Sequence, residues 1–221
     1  MLRSDFHTHT ILSDGALLPI ELIRRVAVMG YKAIGITDHV SLSNVERIVP
    51  EIIADCKMAE KNWDIIAIPG VEVTHVPLKK INHVIALAKK CGAELIVVHG
   101  ESPVEPVEEG TNLIAVGNPD VSILAHPGFL TAEVAEKARD NNTFLEITAR
   151  AGHSYTNGIV ARRGKEVGAK FLVDTDAHDV CDLIDEGKAI AIALGAGLDK
   201  KEAKIAVTEN PDILLKRLGR L

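Results

Sequence analysis

Residues 94–100 read ELIVVHG, and residues 121–128 read VSILAHPG. Each is a short apolar run that ends on a histidine and is bounded by glycine or proline. Runs of this length and β-branched content read as buried strands. The same grammar recurs at 32–39, KAIGITDH, where Asp38 and His39 follow the strand. It recurs at 170–178, KFLVDTDAH, with Asp176 and His178, and at the start, where residues 2–6 lead into His7 and His9. Runs at 65–68 and 143–147 complete seven strand signals. Glu72 lies just past the first of these two, and Glu146 sits near the end of the second.

Helical patterns fill the intervals. The stretch 19–30, PIELIRRVAVMG, spaces Ile20, Ile23, Val26 and Ala27 along one face, with proline in the first turn and glycine past the last. Further helices are predicted at 44–62, with Pro50 as an internal break, at 77–91 closed by Gly92, and at 105–116. Others are expected at 131–141 with Thr131 as N-cap, at 157–168, and after Pro211. From residue 179 the chain holds a short helix and an apolar stretch at 189–194. The spacing of these units, roughly 25–35 residues, is that of repeated βα units. No linker composition interrupts them, so residues 1–221 read as one α/β domain. Two architectures satisfy the pattern, a closed β/α barrel and an open doubly wound sheet. In both, residues that directly follow strands share one rim, where sites are built.

Composition narrows the function. The chain of 221 residues is 47% hydrophobic, 25% charged and 3% aromatic, with a net charge of −6. An acidic balance disfavours a phosphate-backbone binder, and scarce aromatics disfavour stacking on single strands. Cys56, Cys91 and Cys181 lie far apart. That spacing excludes a disulfide framework or thiolate zinc site and points to a reducing, cytoplasmic location. The N-terminal residues lack a signal-peptide apolar region. No apolar run reaches the roughly 18 residues of a membrane helix, so no membrane partner is expected.

Six of the nine histidines follow predicted strands. His7 and His9 point to one side of an extended segment, as do Asp176 and His178. Imidazoles and carboxylates gathered on one rim have metal binding as their chief use. His7, His9, Asp14, His39, Glu72, His99, His126, Asp176 and His178 are too many ligands for one tetrahedral ion. They suit two or three divalent ions (Zn, Mn or Fe). His83, inside a helical pattern, reads as a surface or packing residue, and His75 as a loop residue near Glu72.

The motifs HTH, TDH, GVE, a histidine after an apolar strand, AHPG and TDAH, in that order, resemble the PHP (polymerase and histidinol phosphatase) family. The resemblance spans nearly the whole chain. It implies a distorted seven-stranded β/α barrel, TIM-like, with a trinuclear metal site at the C-terminal rim. His7 and His9 would hold one ion with Glu72 and Asp176. Glu72 would bridge to a second ion held by His99 and His126, and His39 and His178 would hold a third. Where many members supply a further histidine to that third site, this chain has Asp14. Asp38 is expected behind the ligands, as an acceptor that orients an imidazole, and Glu146 is placed there too.

The implied activity is hydrolysis of a small phosphorylated substrate, of the histidinol phosphate type, by metal-activated hydroxide. Asp176, His178 and Arg150 are the expected catalytic residues. Arg150 and His153, in ITARAGHSYTNG (147–158), are the expected substrate contacts, a salt bridge to Glu146 being the other use for Arg150. Arg162 and Arg163 read as solvated. Two further classes stand beside this one: a nuclease or phosphodiesterase acting on nucleic-acid ends, and a non-catalytic barrel subunit like that of ribonuclease P.

Overall fold

The computed structural model describes residues 3–221, so Leu2, the first residue of the first predicted strand, lies outside the described residues. In chain order the strands are β1 (Ser4–Asp5), β2 (Ala33–Ile36), β3 (His39–Val40), β4 (Ile66–Val73), β5 (Leu95–His99), β6 (Ile123–Ala125), β7 (Phe144–Thr148) and β8 (Phe171–Asp174). The helices are α1 (Pro19–Val28), α2 (Val45–Asn62), α3 (Leu78–Cys91), α4 (Thr111–Gly117), α5 (Ala132–Asp140), α6 (Asn157–Val167), α7 (Glu186–Gly195), α8 (Lys200–Lys204) and α9 (Asn210–Arg217). Seven strands pair in parallel in the order β1-β2-β4-β5-β6-β7-β8, and β3 adds to β4. The strands follow one another around the sheet in chain order, and Thr8 bridges Ala177 across its two edges, so the sheet curls into a nearly closed barrel and not an open doubly wound sheet.

The last seam closes without a strand ladder. Thr8 bridges Ala177, and the His9 amide donates to the Ala177 carbonyl at 2.8 Å. Below that bridge, side chains stand in for backbone. The Phe6 amide donates to Asp174 Oδ1 at 2.8 Å, and the Thr175 amide to Asp5 Oδ1 at 3.1 Å. Arg3 Nη2 donates to Asp5 Oδ2 at 3.0 Å. Burial, with Asp5 and Glu146 nearby, holds the Asp174 carboxyl well above the usual carboxylate range.

Alternation along the strands sorts the core into two layers. Leu95 and Val97 face the barrel interior while Ile96 and Val98 face the helices. Ile123 and Ala125 are likewise inside and Leu124 outside, and Leu172 is inside between Phe171 and Val173. Leu214 and Leu215 of α9 join the interior cluster. This short helix therefore plugs the end of the barrel opposite the rim. Lys32 Nζ holds it there through Asp212 Oδ1 at 2.6 Å.

Three local expectations change. α2 runs unbroken through Pro50. The carbonyl that loses its intrahelical partner belongs to Glu46, in the first turn. β4 continues past 68, through Pro69 and Gly70. Residues 66–69 pair with β2 and residues 70–73 with β5, so the proline lies where the strand's pairing passes from one neighbour to the other. The helix expected at 105–116 is only Thr111–Gly117, preceded by a loop over 101–110. Pro103, Pro106 and a left-handed Gly110 (φ 99°) set that boundary.

Two glycines are required by close approach. A Cβ at Gly100 would lie 2.2 Å from the Ala125 carbonyl oxygen, where the chain leaving β5 crosses the end of β6. A Cβ at Gly15 would lie 2.5 Å from the His9 carbonyl oxygen, inside the tight loop that returns Asp14 to the rim.

Candidate metal centre

Strand parity aims three groups into the rim. Ile68 faces inward, and so does Glu72 two pleats on. Leu95 and Val97 lead in the same way to His99, and Phe144 leads to Glu146. His126 has the opposite parity to Ala125, and its backbone is left-handed at φ 26°. Asp176 is also left-handed, at φ 52°. Non-glycine residues pay for this conformation, and such strain gathers at functional sites. Here it ends the strand geometry and brings both side chains to the same centre.

Glu72, wholly buried, stands in the middle. Its Oε1 lies 3.3 Å from His7 Nε2, 3.2 Å from His99 Nδ1 and 3.6 Å from His126 Nε2. Its Oε2 lies 2.6 Å from His39 Nδ1 and 3.7 Å from His9 Nε2. Asp176 Oδ1 lies 3.1 Å from His9 Nε2 and 3.6 Å from His7 Nε2, with Oδ2 3.8 Å from His126 Nε2. Asp14 reaches His178 Nε2 at 3.2 Å and His39 Nε2 at 3.5 Å through Oδ2, and His9 Nδ1 at 3.9 Å through Oδ1. The nine residues expected as ligands are thus brought together. The compact groupings include His7, Glu72 and His126; His7, His9 and Asp176; His9, Asp14, His39 and His178; His39, Glu72 and His99; and His75, His99 and Glu105.

The protonation pattern follows from these distances. Burial would depress the His7 imidazole, but Glu146, Glu72 and Asp176 hold it well above its ordinary value. Against the same burial, Glu72 and Asp14 lift His39 to about 10, and Glu72 and Glu105 lift His99 to about 9. Burial and the neighbouring His39 depress His9 to about 4. Burial would raise the Glu72 carboxyl, yet His7, His99 and His39 keep it well below the carboxylate range. Asp176 and Asp14 are likewise held far down against burial, by His7 and His9 in one case and by His178 and His39 in the other.

Divalent cations fit this donor set. His7 Nε2, both nitrogens of His9, His99 Nε2 and His126 Nδ1 are buried without a hydrogen bond. Orphaned buried nitrogens are costly. Here they lie among carboxylates whose ion pairs are with imidazoles. Neutral imidazole and carboxylate together are the ligands of Zn, Mn and Fe.

The supporting residues sort differently from expectation in places. Glu146 accepts from His7 Nδ1 at 2.7 Å and from the His126 amide at 2.7 Å, so it orients two rim groups from below. Asp38 touches no imidazole. It accepts from the Thr10 amide and hydroxyl, each at 2.8 Å, from the Ser13 amide at 3.1 Å, and from the Ser13 hydroxyl at 2.6 Å. It holds the loop, because its short carboxylate faces four donors of residues 10–13. Arg150 does not pair with Glu146, whose oxygens are taken. Its Nη1 meets Asp182 Oδ2 at 3.3 Å and the Asp176 carbonyl at 3.4 Å.

His153 is buried, with Nδ1 2.6 Å from Ser102 Oγ and Nε2 3.3 Å from Glu105 Oε1. Its ring lies 4.2 Å from that of His126. His83 is exposed on α3, away from these groups.

Residues 5–106 match the PHP domain family model. An uncharacterized protein of Methanocaldococcus jannaschii is 49% identical over 218 residues, which span 98% of this chain and 100% of that protein. The chain belongs to the PHP family. A probable phosphatase of Caldanaerobacter subterraneus is 29% identical over 205 residues, 81% of this PHP chain and 77% of its own. Among solved structures, a chain of archaeal ribonuclease P with mature tRNA superposes with a TM-score of 0.72 at 15% identity, covering 98% of this chain and 91% of that one. The histidinol phosphate phosphatase of Lactococcus lactis, solved with zinc, L-histidinol and phosphate, gives 0.64 at 17% identity, covering 89% and 94%. These two likenesses establish the PHP-type barrel.

Sequence reasoning missed Glu105, Ser102 and Thr74. Thr74 Oγ1 lies 2.6 Å from His39 Nδ1. The helix predicted at 105–116 includes Glu105. The residue's position between Pro103 and Pro106 is a loop signal that would have moved it to the rim.

Proposed function

We propose that this protein is a metal-dependent phosphoesterase that hydrolyses a small phosphate ester. The observation that carries this reading is the set of buried, unbonded imidazole nitrogens converging with Glu72 and Asp176. His7, His9, Asp14, His39, Glu72, His99, His126, Asp176 and His178 would hold divalent ions, which would supply an activated water and positive charge for the phosphoryl oxygens. The chain's own part is positional. Glu146 fixes His7, Asp38 fixes the loop carrying Asp14, and the apolar barrel below keeps water out. Asp176 and His178 carry the reaction as ligands. Arg150, half-buried at the rim, is the side chain suited to a non-bridging phosphate oxygen. The zinc and phosphate in the Lactococcus lactis phosphatase, and the name of the Caldanaerobacter relative, support the same reading.

The test is turnover of a phosphomonoester panel, including histidinol phosphate, by metal-depleted protein reloaded with Zn or Mn, with metal content measured on the same sample. Metal-dependent hydrolysis is expected. Arg150→Ala is expected to lower kcat/KM on the order of 10²-fold. Unchanged kinetics would remove Arg150 from the site, and absence of both metal and hydrolysis would overturn the reading.

A second reading, action on nucleic-acid ends or service as a barrel subunit, is favoured by the full-length likeness to the ribonuclease P chain. Cleavage or binding of labelled single strands, without turnover of small esters, is the result that would select it.

A further inference from the structure

We infer that Glu105 is a positioning residue that sets the tautomer of His99 and pins three rim loops around it. The inference rests on the metal-binding reading above. Glu105 comes from the loop over 101–110, outside the nine expected ligands. Its Oε2 lies 3.0 Å from His99 Nε2 and 3.1 Å from His75 Nε2, and its Oε1 lies 3.3 Å from His153 Nε2. These imidazoles come from the segment after β4, the last residue of β5 and the segment after β7, so one carboxylate ties three separate segments.

The ring of His99 is spanned by two carboxylates. Nδ1 faces Glu72 Oε1 at 3.2 Å, and Nε2 faces Glu105. A neutral imidazole carries one hydrogen. If Nδ1 offers its lone pair to a cation beside Glu72, Nε2 carries that hydrogen, and Glu105 Oε2, 3.0 Å away, is the carboxylate placed to receive it. A carboxylate behind a ligating histidine fixes its tautomer and orientation in this way. Glu146 does the same for His7, from the barrel side, through Nδ1.

The loop is built to hold Glu105 in place. Glu101 closes its base by accepting from the Gly110 amide at 3.0 Å and the Asn112 amide at 2.8 Å. Ser102 Oγ meets His153 Nδ1 at 2.6 Å, so the loop engages both nitrogens of His153. His75 is held with left-handed backbone at φ 50°, and its Nε2 turns to the same carboxylate. This gives His153 and His75 a part as braces of Glu105.

The experiment titrates metal-depleted full-length protein with Co²⁺, following its visible absorption and the metal retained per chain after gel filtration. Glu105→Gln is nearly isosteric but cannot accept as an anion. It is expected to keep the wild-type circular dichroism and to bind one class of Co²⁺ about 10- to 100-fold more weakly. Glu105→Asp is expected to recover part of that loss. Wild-type affinity for every Co²⁺ equivalent in Glu105→Gln overturns the inference. Should that variant fail to fold, wild-type protein with Zn²⁺ and ¹⁵N-labelled histidine decides. His99 as the Nε2–H tautomer supports the assignment, and Nδ1–H overturns it. A wild-type chain that binds no Co²⁺ refutes the metal reading itself, a result distinct from either.

Discussion

At the scale of single residues, the geometry of this rim is set by what lies behind the candidate ligands. Asp38 stands next to His39 in sequence, yet its oxygens serve residues 10–13. Adjacency in the chain identified a buried carboxylate but not its partners, because these lie some 25 residues away on another loop. Asp38→Ala leaves the Thr10 and Ser13 donors unpaired in a buried loop, at about 1–3 kcal/mol for such groups. The expected result is a lower denaturation midpoint and weaker metal retention at the Asp14 end of the site. An unchanged midpoint would show that water replaces the carboxylate.

Tyr31 offers a second residue-scale test. Its hydroxyl donates to the Ile184 carbonyl at 2.5 Å and accepts from Arg3 Nε at 3.2 Å. Burial and Asp5 push it up to about 12, against the opposing pull of Arg3. A folded-state value above the unfolded one, near 10, means the phenol's stabilising contribution is complete below about pH 10. It is lost as pH rises through about 12. Denaturation midpoints of wild type and Tyr31→Phe should therefore converge across that window. Parallel curves would refute the assignment.

At the scale of elements, the strands were legible and the loops were not. Buried parallel strands leave apolar runs that any window detects, and six histidines marked where they end. The ladder itself, the β1–β8 seam and the α9 plug have no local signature, since each depends on partners far off in sequence. The same holds for His126, whose left-handed φ reverses the parity that alternation assigns. Glu105 was lost to an over-long helix for a related reason. A helical pattern at 105–116 was credited over two prolines that restrict the residues before them. The plug can be tested directly. Leu215 is fully buried in the interior cluster, and Leu215→Ala should cost about 2–5 kcal/mol in chemical denaturation. Metal content at the far rim should stay at the wild-type level. Loss below 1 kcal/mol would mean that α9 covers the barrel without filling it.

At the scale of the whole molecule, the barrel is polarised. One end is sealed by apolar side chains, and the other concentrates Glu72, Glu146 and Asp176 with five buried or nearly buried imidazoles. In the metal-free protein, raised imidazoles such as His7 and His99 offset those carboxylates. Bringing like charges together in a buried site costs stability unless a counter-charge is present. Divalent cations held there would provide that charge, and would bind only the folded rim, because its candidate ligands come from six separate segments. Binding to the native state alone adds about 2.7 kcal/mol for each ion present at 100 times its Kd. For a chain of this size that corresponds to a rise of about 5–10 °C in Tm per ion. Thermal melts of EDTA-treated protein, repeated with Zn or Mn, should show this increase. In Asp14→Ala the gain should shrink, because the grouping of His9, His39 and His178 then lacks its carboxylate. A Tm that does not respond to any divalent ion would mean that the orphaned nitrogens of His7, His9 and His126 are satisfied by water. The rim would then be a relic of the fold with no resident metal.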